Sequence, residues 1–429
     1  MTNRIDIHVP ALARVEGEGA LDLEVVDGKI ESLHLRIFEP PRLFEKFLEG
    51  RFATEIPDMV ARICGICPVA YQMSGVLAIE DAFGMQVTPW VESMRRLLYT
   101  GEWIESHALH IHLLALPDFL GAESAFDLAK THPDVLRRGV TLQGVGNAIV
   151  AFLGGRSVHP VGVAVGGFHK APAKKDAKTL LLKIEEAIPM AEDLLAFVAS
   201  LDLPQRTESF TSLAVRRDDR YGVMGRHLQA STGLAFDVSH IEQHIEEYQV
   251  PHSTAFYAML EGEPFLVGPL ARVNINHEQL RPQIKDALHK HGIALPMHNI
   301  FDSIKARAAE ILQALLEAQE ILQDYEPDTP KVPYTPRAAT GFGASEAPRG
   351  LLWHRYDFDK EGRVKYAKIV PPTSQNQAMI EKDLYNSLNA FGFDKDKDAI
   401  RLHAESVIRN YDPCISCATH FLQVNLREA

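Results

Sequence analysis

The chain opens on an alternating pattern and then changes period. Between residues 20 and 37, Leu21, Leu23 and Val25 alternate with polar positions, Asp27-Gly28 is the dipeptide of a type I′ turn, and Ile30 to Ile37 resumes a β-rich run. That pattern predicts an early hairpin. Beyond it the apolar residues take up helical spacing. Residues 58–83 read as a helix opening near a first cysteine pair. Residues 89–116 read as a longer one, with Leu97, Leu98, Ile104, Leu109 and Leu113 near one face and Pro117 as its stop. Residues 174–201, interrupted by Pro189, and residues 303–324, with Ile304, Ile311, Leu315, Ala318 and Leu322 in register, are further amphipathic helices. Gly154 to Pro160, Gly166-Gly167 and the stretch 325–350 read as loops, the last as a subdomain edge. The expected fold is α+β and predominantly helical: a long-helix bundle core with an N-terminal β-hairpin and peripheral strands. We expect one unit over 1–429, divided into the hairpin 20–37, a helical core 58–324, a C-terminal segment 325–420 and a short tail 421–429.

Composition narrows what such a fold can do. Hydrophobic residues at 46% and charged residues at 24% are ordinary for a globular protein, so disorder is not the explanation. A formal charge of −13 with no long Lys/Arg run argues against nucleic acid as a partner. The start lacks the apolar core of a signal peptide, and no stretch supplies the about 18 uncharged apolar residues of a membrane span. The chain therefore reads as cytoplasmic, although a subunit can also be exported on a partner's signal.

Cysteine usage is the first unusual feature. There are only four, and all fall in C-x-x-C pairs, Cys64/Cys67 and Cys414/Cys417, with the pairs 350 positions apart. In a reducing compartment this points to a shared metal rather than to disulfides. By ligand type alone, four thiolates mean structural zinc or an iron–sulfur cluster as readily as anything else. Zinc knuckles, however, bring their second pair within about 15–20 residues.

The flanking residues decide the matter. Arg62-Ile-Cys-Gly-Ile-Cys67 and Asp412-Pro-Cys-Ile-Ser-Cys-Ala-Thr-His420 resemble the N- and C-terminal signatures of nickel–iron hydrogenase large subunits. Arg14-Val-Glu-Gly17, Pro41-Arg-Leu-Phe-Glu45, Gly155-Arg-Ser-Val-His-Pro160, Glu346-Ala-Pro-Arg-Gly350 and Pro372-Thr-Ser-Gln-Asn-Gln377 follow that family's order between them. The resemblance implies reversible heterolytic cleavage of H2 at a nickel–iron centre carrying CO and two cyanides. Cys64 and Cys414 would be terminal nickel ligands, and Cys67 and Cys417 would bridge nickel to iron. Two rivals stand beside this: a structural zinc or iron–sulfur scaffold, and a scaffold like the quinone-facing subunit of respiratory complex I. The second shares the ancestry but lacks cysteines, so the four thiols here speak against it.

Further roles also come only from the resemblance. Glu16 would be the proton relay beside a terminal cysteine; by itself it reads as a surface carboxylate. Arg349 would overhang the open metal position, with Asp412 as its mate, and an ordinary ion pair is compatible with that. Pro348, Pro372 and Thr373 match segments around the cyanide ligands. Glu45, the backbone of Gln377 and His420 match a second, hard-cation site that holds magnesium. No cysteine is left for an iron–sulfur cluster in this chain, so a small subunit carrying clusters is expected to take the electrons. Diaphorase-type NAD(P) subunits are expected beyond it.

The sequence departs from the family at Tyr71, where many relatives have histidine; a phenol can donate a hydrogen bond but cannot act as an imidazole. Ser106 stands where many membrane-type relatives carry aspartate, which favours the NAD(P)-linked cytoplasmic branch. The tail after His420 resembles the segment that a maturation endopeptidase removes. Two other motifs read blandly. His107, His110 and His112 sit on one helix without a completing cysteine and carboxylate set, and Gly144-x-Gly146 lacks the third glycine of a dinucleotide loop.

Overall fold

The structure, a computed structural model, describes residues 4–207 and 209–419. Its N-terminal sheet contains the expected hairpin, β2 (Gly19–Val26) and β3 (Lys29–Ile37), and adds a strand before it, β1 (Arg4–Val9). Asp27 and Gly28 turn with φ of 49° and 77°, the pair of positive values a type I′ turn demands. Leu21, Leu23 and Val25 point inwards, and Ile5, Ile7 and Val9 of β1 do the same by the same alternation.

The helical period over 58–83 divides into two helices, α2 (Ile56–Val60) and α3 (Pro68–Phe83), preceded by the short α1 (Phe44–Leu48). The break carries the first cysteine pair. Pro68 is the first residue of α3, and the residue before a proline is disfavoured in helical conformation, so the chain leaves the helix ahead of it. The next helix, α4 (Pro89–Leu109), is capped by the Thr88 hydroxyl on the Val91 amide at 3.2 Å, worth about 1 kcal/mol. It runs into a wider turn of π type, His110–Ala115. Pro117 then begins the short helix Leu116–Phe119 instead of stopping the long one. Nor is α4 the two-faced helix its leucines imply: every residue from Met94 to Ala108 is buried, Arg95, Arg96, Glu102, Glu105 and His107 among them. Such charges persist inside only when paired, as Arg95 is with both oxygens of Glu80 at 2.5 and 2.7 Å.

Against α4 lies α5 (Pro133–Gly154). Gly146, half of the Gly-x-Gly motif, sits mid-helix at this crossing: a Cβ there would come within 2.5 Å of the Glu105 amide nitrogen, so the glycine serves close helix packing. Two further long helices, α6 (Lys174–Ala199) and α7 (Ser303–Gln323), complete the bundle, and α6 continues through Pro189.

Small sheets lie around it: Leu213–Val215, His227–Ala230 and Ala235–Asp237 in one, Ile245–Gln249 and Phe256–Leu260 in another. A third comprises β4 (Ala339–Ala347), β5 (Gly350–Phe358) and β6 (Val364–Val370), so the stretch read as loop ends in a strand. Gly343 of β4 admits α3: a Cβ would stand 2.3 Å from the Ser74 carbonyl oxygen. The chain closes with α8 (Pro372–Phe391), α9 (Lys397–Asn410) and the single turn α10 (Ile415–Ala418). Among the described residues, no helix is long and apolar enough to cross a membrane.

Candidate metal centre

The two cysteine pairs meet. Cys64 Sγ lies 3.4 Å from Cys414 Sγ, Cys67 Sγ 3.9 Å from Cys417 Sγ, and Cys414 Sγ 2.7 Å from Cys417 Sγ, all four buried and none in a disulfide. Each pair sits at a helix start: Cys64 and Cys67 lie in the loop ahead of α3, while Cys414 precedes α10 and Cys417 lies within it. The main-chain amides of Ile66 and Cys67 donate to Cys64 Sγ, each at 3.3 Å. The free amides of the first turn of α3 serve another group. Val69 and Ala70 donate to the carboxylate of Glu102, at 2.6 and 3.0 Å, while burial pushes that carboxyl well above its ordinary range.

The second pair is fixed by three separate segments. Asp412 takes a left-handed φ of 51°, which turns the chain out of α9. Thr373, in the first turn of α8, accepts the Cys414 amide on its hydroxyl oxygen at 2.9 Å and so keeps its own O–H free to donate. Glu16 pairs with Cys414 as an isolated bridge, takes the Ile415 amide on its carbonyl at 3.0 Å and the Ser416 amide on Oε2 at 3.2 Å.

Arg349 occupies the tight turn between β4 and β5. Its Nη2 donates to Asp412 Oδ1 at 2.9 Å and its Nε to the Asp412 carbonyl at 2.7 Å, while Nη1, though buried, has no protein partner. Burial opposes its charge, but Asp412 and the sulfurs of Cys414, Cys67 and Cys64 hold its pKa well above the ordinary value. Behind the turn, the buried Arg272 donates to the carbonyls of Ala347 at 2.7 Å and Pro348 at 3.0 Å, and its Nε and Nη2 clasp both oxygens of Glu310 at 2.8 and 2.7 Å.

These observations test the group that a four-thiolate site implies. Hydrogen bonds from Cys414, Cys417 and Cys67 hold the Cys64 thiol well below its usual pKa, and burial pushes Cys414 well above. Four thiolates cannot share this buried space without added positive charge, which a soft metal group supplies. A nickel–iron centre with small diatomic ligands fits further, since the unpaired N–H of Arg349 and the free O–H of Thr373 stand at the same cluster as donors.

Glu45 on α1 accepts the Ile369 amide at 2.5 Å and is pushed up to about 9 by burial. Gln377 lies on α8 with neither side-chain polar atom partnered. No hydrogen bond joins Glu45 to Gln377 among the described residues, although the Arg42 amide donates to the Thr419 carbonyl at 3.0 Å and so brings the C-terminal segment beside the start of α1. His420 and the tail lie outside the described residues.

Several groups at the centre carry no local motif. Tyr71 is fully buried with its hydroxyl unpartnered, and its ring lies 5.7 Å from that of His354, an imidazole contributed by β5. Tyr71 is marked in sequence by its departure from the family, whereas Glu102, Glu105, Arg272 and Glu310 are silent in sequence; buried charge at helical positions is their common trait. The histidine trio makes ordinary hydrogen bonds: His107 to Glu310 at 2.9 Å, His110 to the Arg409 carbonyl at 2.7 Å and His112 to the Ala108 carbonyl at 2.9 Å. Ser106 is buried, its hydroxyl without a partner.

Comparison with known proteins places the chain in context. A sequence profile described as nickel-dependent hydrogenase matches residues 42–140 and 253–420. Sulfhydrogenase 1 subunit alpha of Pyrococcus furiosus is 33% identical over 428 residues, 98% of this chain and 99% of that protein. The NAD-reducing hydrogenase HoxS subunit beta of Cupriavidus necator is 28% identical, covering 96% of this chain and 94% of its own length. The fold matches that of an NAD+-reducing nickel–iron hydrogenase in its H2-reduced state with a TM-score of 0.87 at 27% identity, over 97% of this chain and 99% of that one.

Proposed function

The chain belongs to the nickel-dependent hydrogenase family, and from that premise we propose that it is the catalytic large subunit of a hydrogenase whose electrons reach NAD(P) through partner subunits. The observation that carries the reading is the convergence of four buried cysteines, 350 residues apart in sequence, beneath an arginine with an unpaired N–H. Cys64, Cys67, Cys414 and Cys417 would hold the nickel–iron group, Cys64 and Cys414 as terminal nickel ligands and Cys67 and Cys417 as ligands common to both metals. When bound, the nickel–iron group supplies the soft metal pair at which H2 is split heterolytically. The residues around it manage the proton and exclude water. Cys414 Sγ takes the proton, and Glu16, held by two amides of the cysteine's own turn, receives it and passes it outward. Arg349 supplies a fixed positive N–H over the cluster, Asp412 holds that guanidinium in plane, and the Pro348 carbonyl anchors the turn through Arg272. Thr373 and Pro372, opening α8, would offer a hydroxyl and an apolar wall to the bound group. Glu45, the Gln377 backbone and His420 would hold magnesium.

With every thiol in one cluster, the chain has none left for an iron–sulfur relay. Electrons leave to a small subunit that carries clusters. The NAD-reducing relative supports diaphorase-type partners beyond it, and a complex that feeds electrons to NAD(P) belongs in the cytoplasm, where that acceptor is found. The tail after His420 is removed by an endopeptidase once nickel is in place. Metal analysis and H2/D+ exchange test the reading together: wild-type complex should hold about one nickel per copy of this chain, with iron beyond what its iron–sulfur clusters account for, and Cys64→Ser should lose nickel and exchange. Stoichiometric zinc without nickel in active, native complex would refute it.

A further inference from the structure

A second donor set lies away from the cysteines. His34 on β3, His252 in the turn ahead of the strand Phe256–Leu260, and Glu381 on α8 bring one donor atom each within 4.8 Å of one another. The two imidazoles face each other with centroids 4.3 Å apart and planes tilted by 34°. His252 Nε2 lies 3.0 Å from Glu381 Oε1, the same oxygen that accepts the Leu35 amide at 2.9 Å and the Tyr257 hydroxyl at 3.0 Å. These contacts all fall on Oε1, fixing the carboxylate while leaving Oε2 without a protein partner among the described residues. Orientation of a carboxylate by outer hydrogen bonds is the usual support of a metal ligand.

Hydrogen bonding within the protein explains Glu381 but not His34. That imidazole makes no hydrogen bond among the described residues, yet it is set against a second imidazole and a carboxylate. We propose that His34, His252 and Glu381 bind one divalent transition ion of the zinc type, with water as the fourth ligand. Two nitrogens and one carboxylate oxygen are a donor set that zinc takes while keeping an open position. Tetrahedral bonds of about 2.0–2.1 Å put ligand atoms roughly 3.3 Å apart, so modest closure of the observed set suffices. His252 and Glu381 side chains keep 21% exposure each, which admits the water. On binding, His252 surrenders its hydrogen bond with Glu381 and both side chains turn to the ion. The ion would clamp the N-terminal sheet to α8, the helix whose first turn holds Thr373.

The test uses the assembled, nickel-loaded complex, stripped of loosely held metal and then equilibrated with zinc ion against a competing indicator. Wild type should bind one zinc per chain, with nickel and iron unchanged. His34→Gln and Glu381→Gln should each weaken this by more than the roughly 10–100-fold that loss of an outer partner brings. His34→Gln breaks no hydrogen bond of the fold, so it reports on the site even if Glu381→Gln folds poorly. Zinc should also slow amide exchange in β3 and α8 of wild type but not of His34→Gln. Equal zinc binding by wild type and His34→Gln, or none by either, overturns the proposal. Zinc that remains in both proteins in place of nickel would instead count against the nickel–iron reading.

Discussion

Arg349 grips Asp412 twice, through Nη2 to Oδ1 at 2.9 Å and through Nε to the main-chain oxygen at 2.7 Å, and thereby leaves one N–H beside the sulfur cluster with no protein acceptor. Lysine keeps the charge but cannot make the two-pronged contact. Arg349→Lys should therefore retain nickel and iron while H2/D+ exchange falls about 10²–10³-fold, the usual effect of losing one preorganised donor. Full exchange in the variant would remove the guanidinium from the reaction.

Glu16 is tied to the turn of Cys414 by its carbonyl and by Oε2, an arrangement suited to accepting a proton from that sulfur. Glu16→Gln keeps the shape, the main-chain carbonyl and one side-chain oxygen able to accept the Ser416 amide, but it cannot be protonated and deprotonated. Exchange should drop by about 10²–10⁴-fold with the spectroscopic signature of the metal centre unmoved. A variant exchanging at the wild-type rate would show that the proton leaves by another route.

Much of this centre is written locally. C-x-x-C pairs, the Asp412 mate of Arg349 and the Thr373 turn all sit in short motifs, and the structure joins them. What the sequence concealed has a physical pattern. Glu102 and Glu310 lie on α4 and α7 and Arg272 on a short helix between, where a buried charge looks like a solvent-facing one until its partner arrives from far along the chain. The break of 58–83 escaped for a related reason: apolar spacing continues across Ile63 and Ile66, and only Pro68 marks where the loop must be.

Tyr71 stands where a histidine would be expected, and its hydroxyl is buried without a partner. Burial first, and then the sulfurs of Cys417 and Cys67, push its pKa well above the ordinary value, so it remains a donor at all working pH values. Tyr71→Phe breaks no hydrogen bond of the protein and should leave the unfolding midpoint close to wild type. If the phenol donates to a metal-bound sulfur, the infrared bands of CO and cyanide will shift. Identical bands in both proteins would assign Tyr71 to packing alone.

Arg272 offers the sharpest separation of stability from chemistry. It is wholly buried, neutralises Glu310 with two hydrogen bonds at 2.7 and 2.8 Å, and holds the carbonyls of Ala347 and Pro348 that set the Arg349 turn. Arg272→Met leaves the Glu310 charge uncompensated and should cost about 3–5 kcal/mol in urea unfolding at neutral pH. Burial favours a protonated Glu310, but Arg272 and His107 outweigh it and hold the carboxyl at about 2, against an ordinary 4.5. A lowered folded-state pKa contributes stability above the ordinary value and loses it as pH falls towards the folded one. Arg272→Met removes the larger lowering influence and leaves only that of His107 against burial, so the deficit relative to wild type should shrink between pH 4.5 and about 2. Arg272→Lys keeps charge opposite Glu310 but not the two carbonyl contacts; it should recover part of the stability while H2/D+ exchange stays depressed. Recovery of exchange in step with stability would mean that Arg272 acts on the fold alone and not on the placement of Arg349.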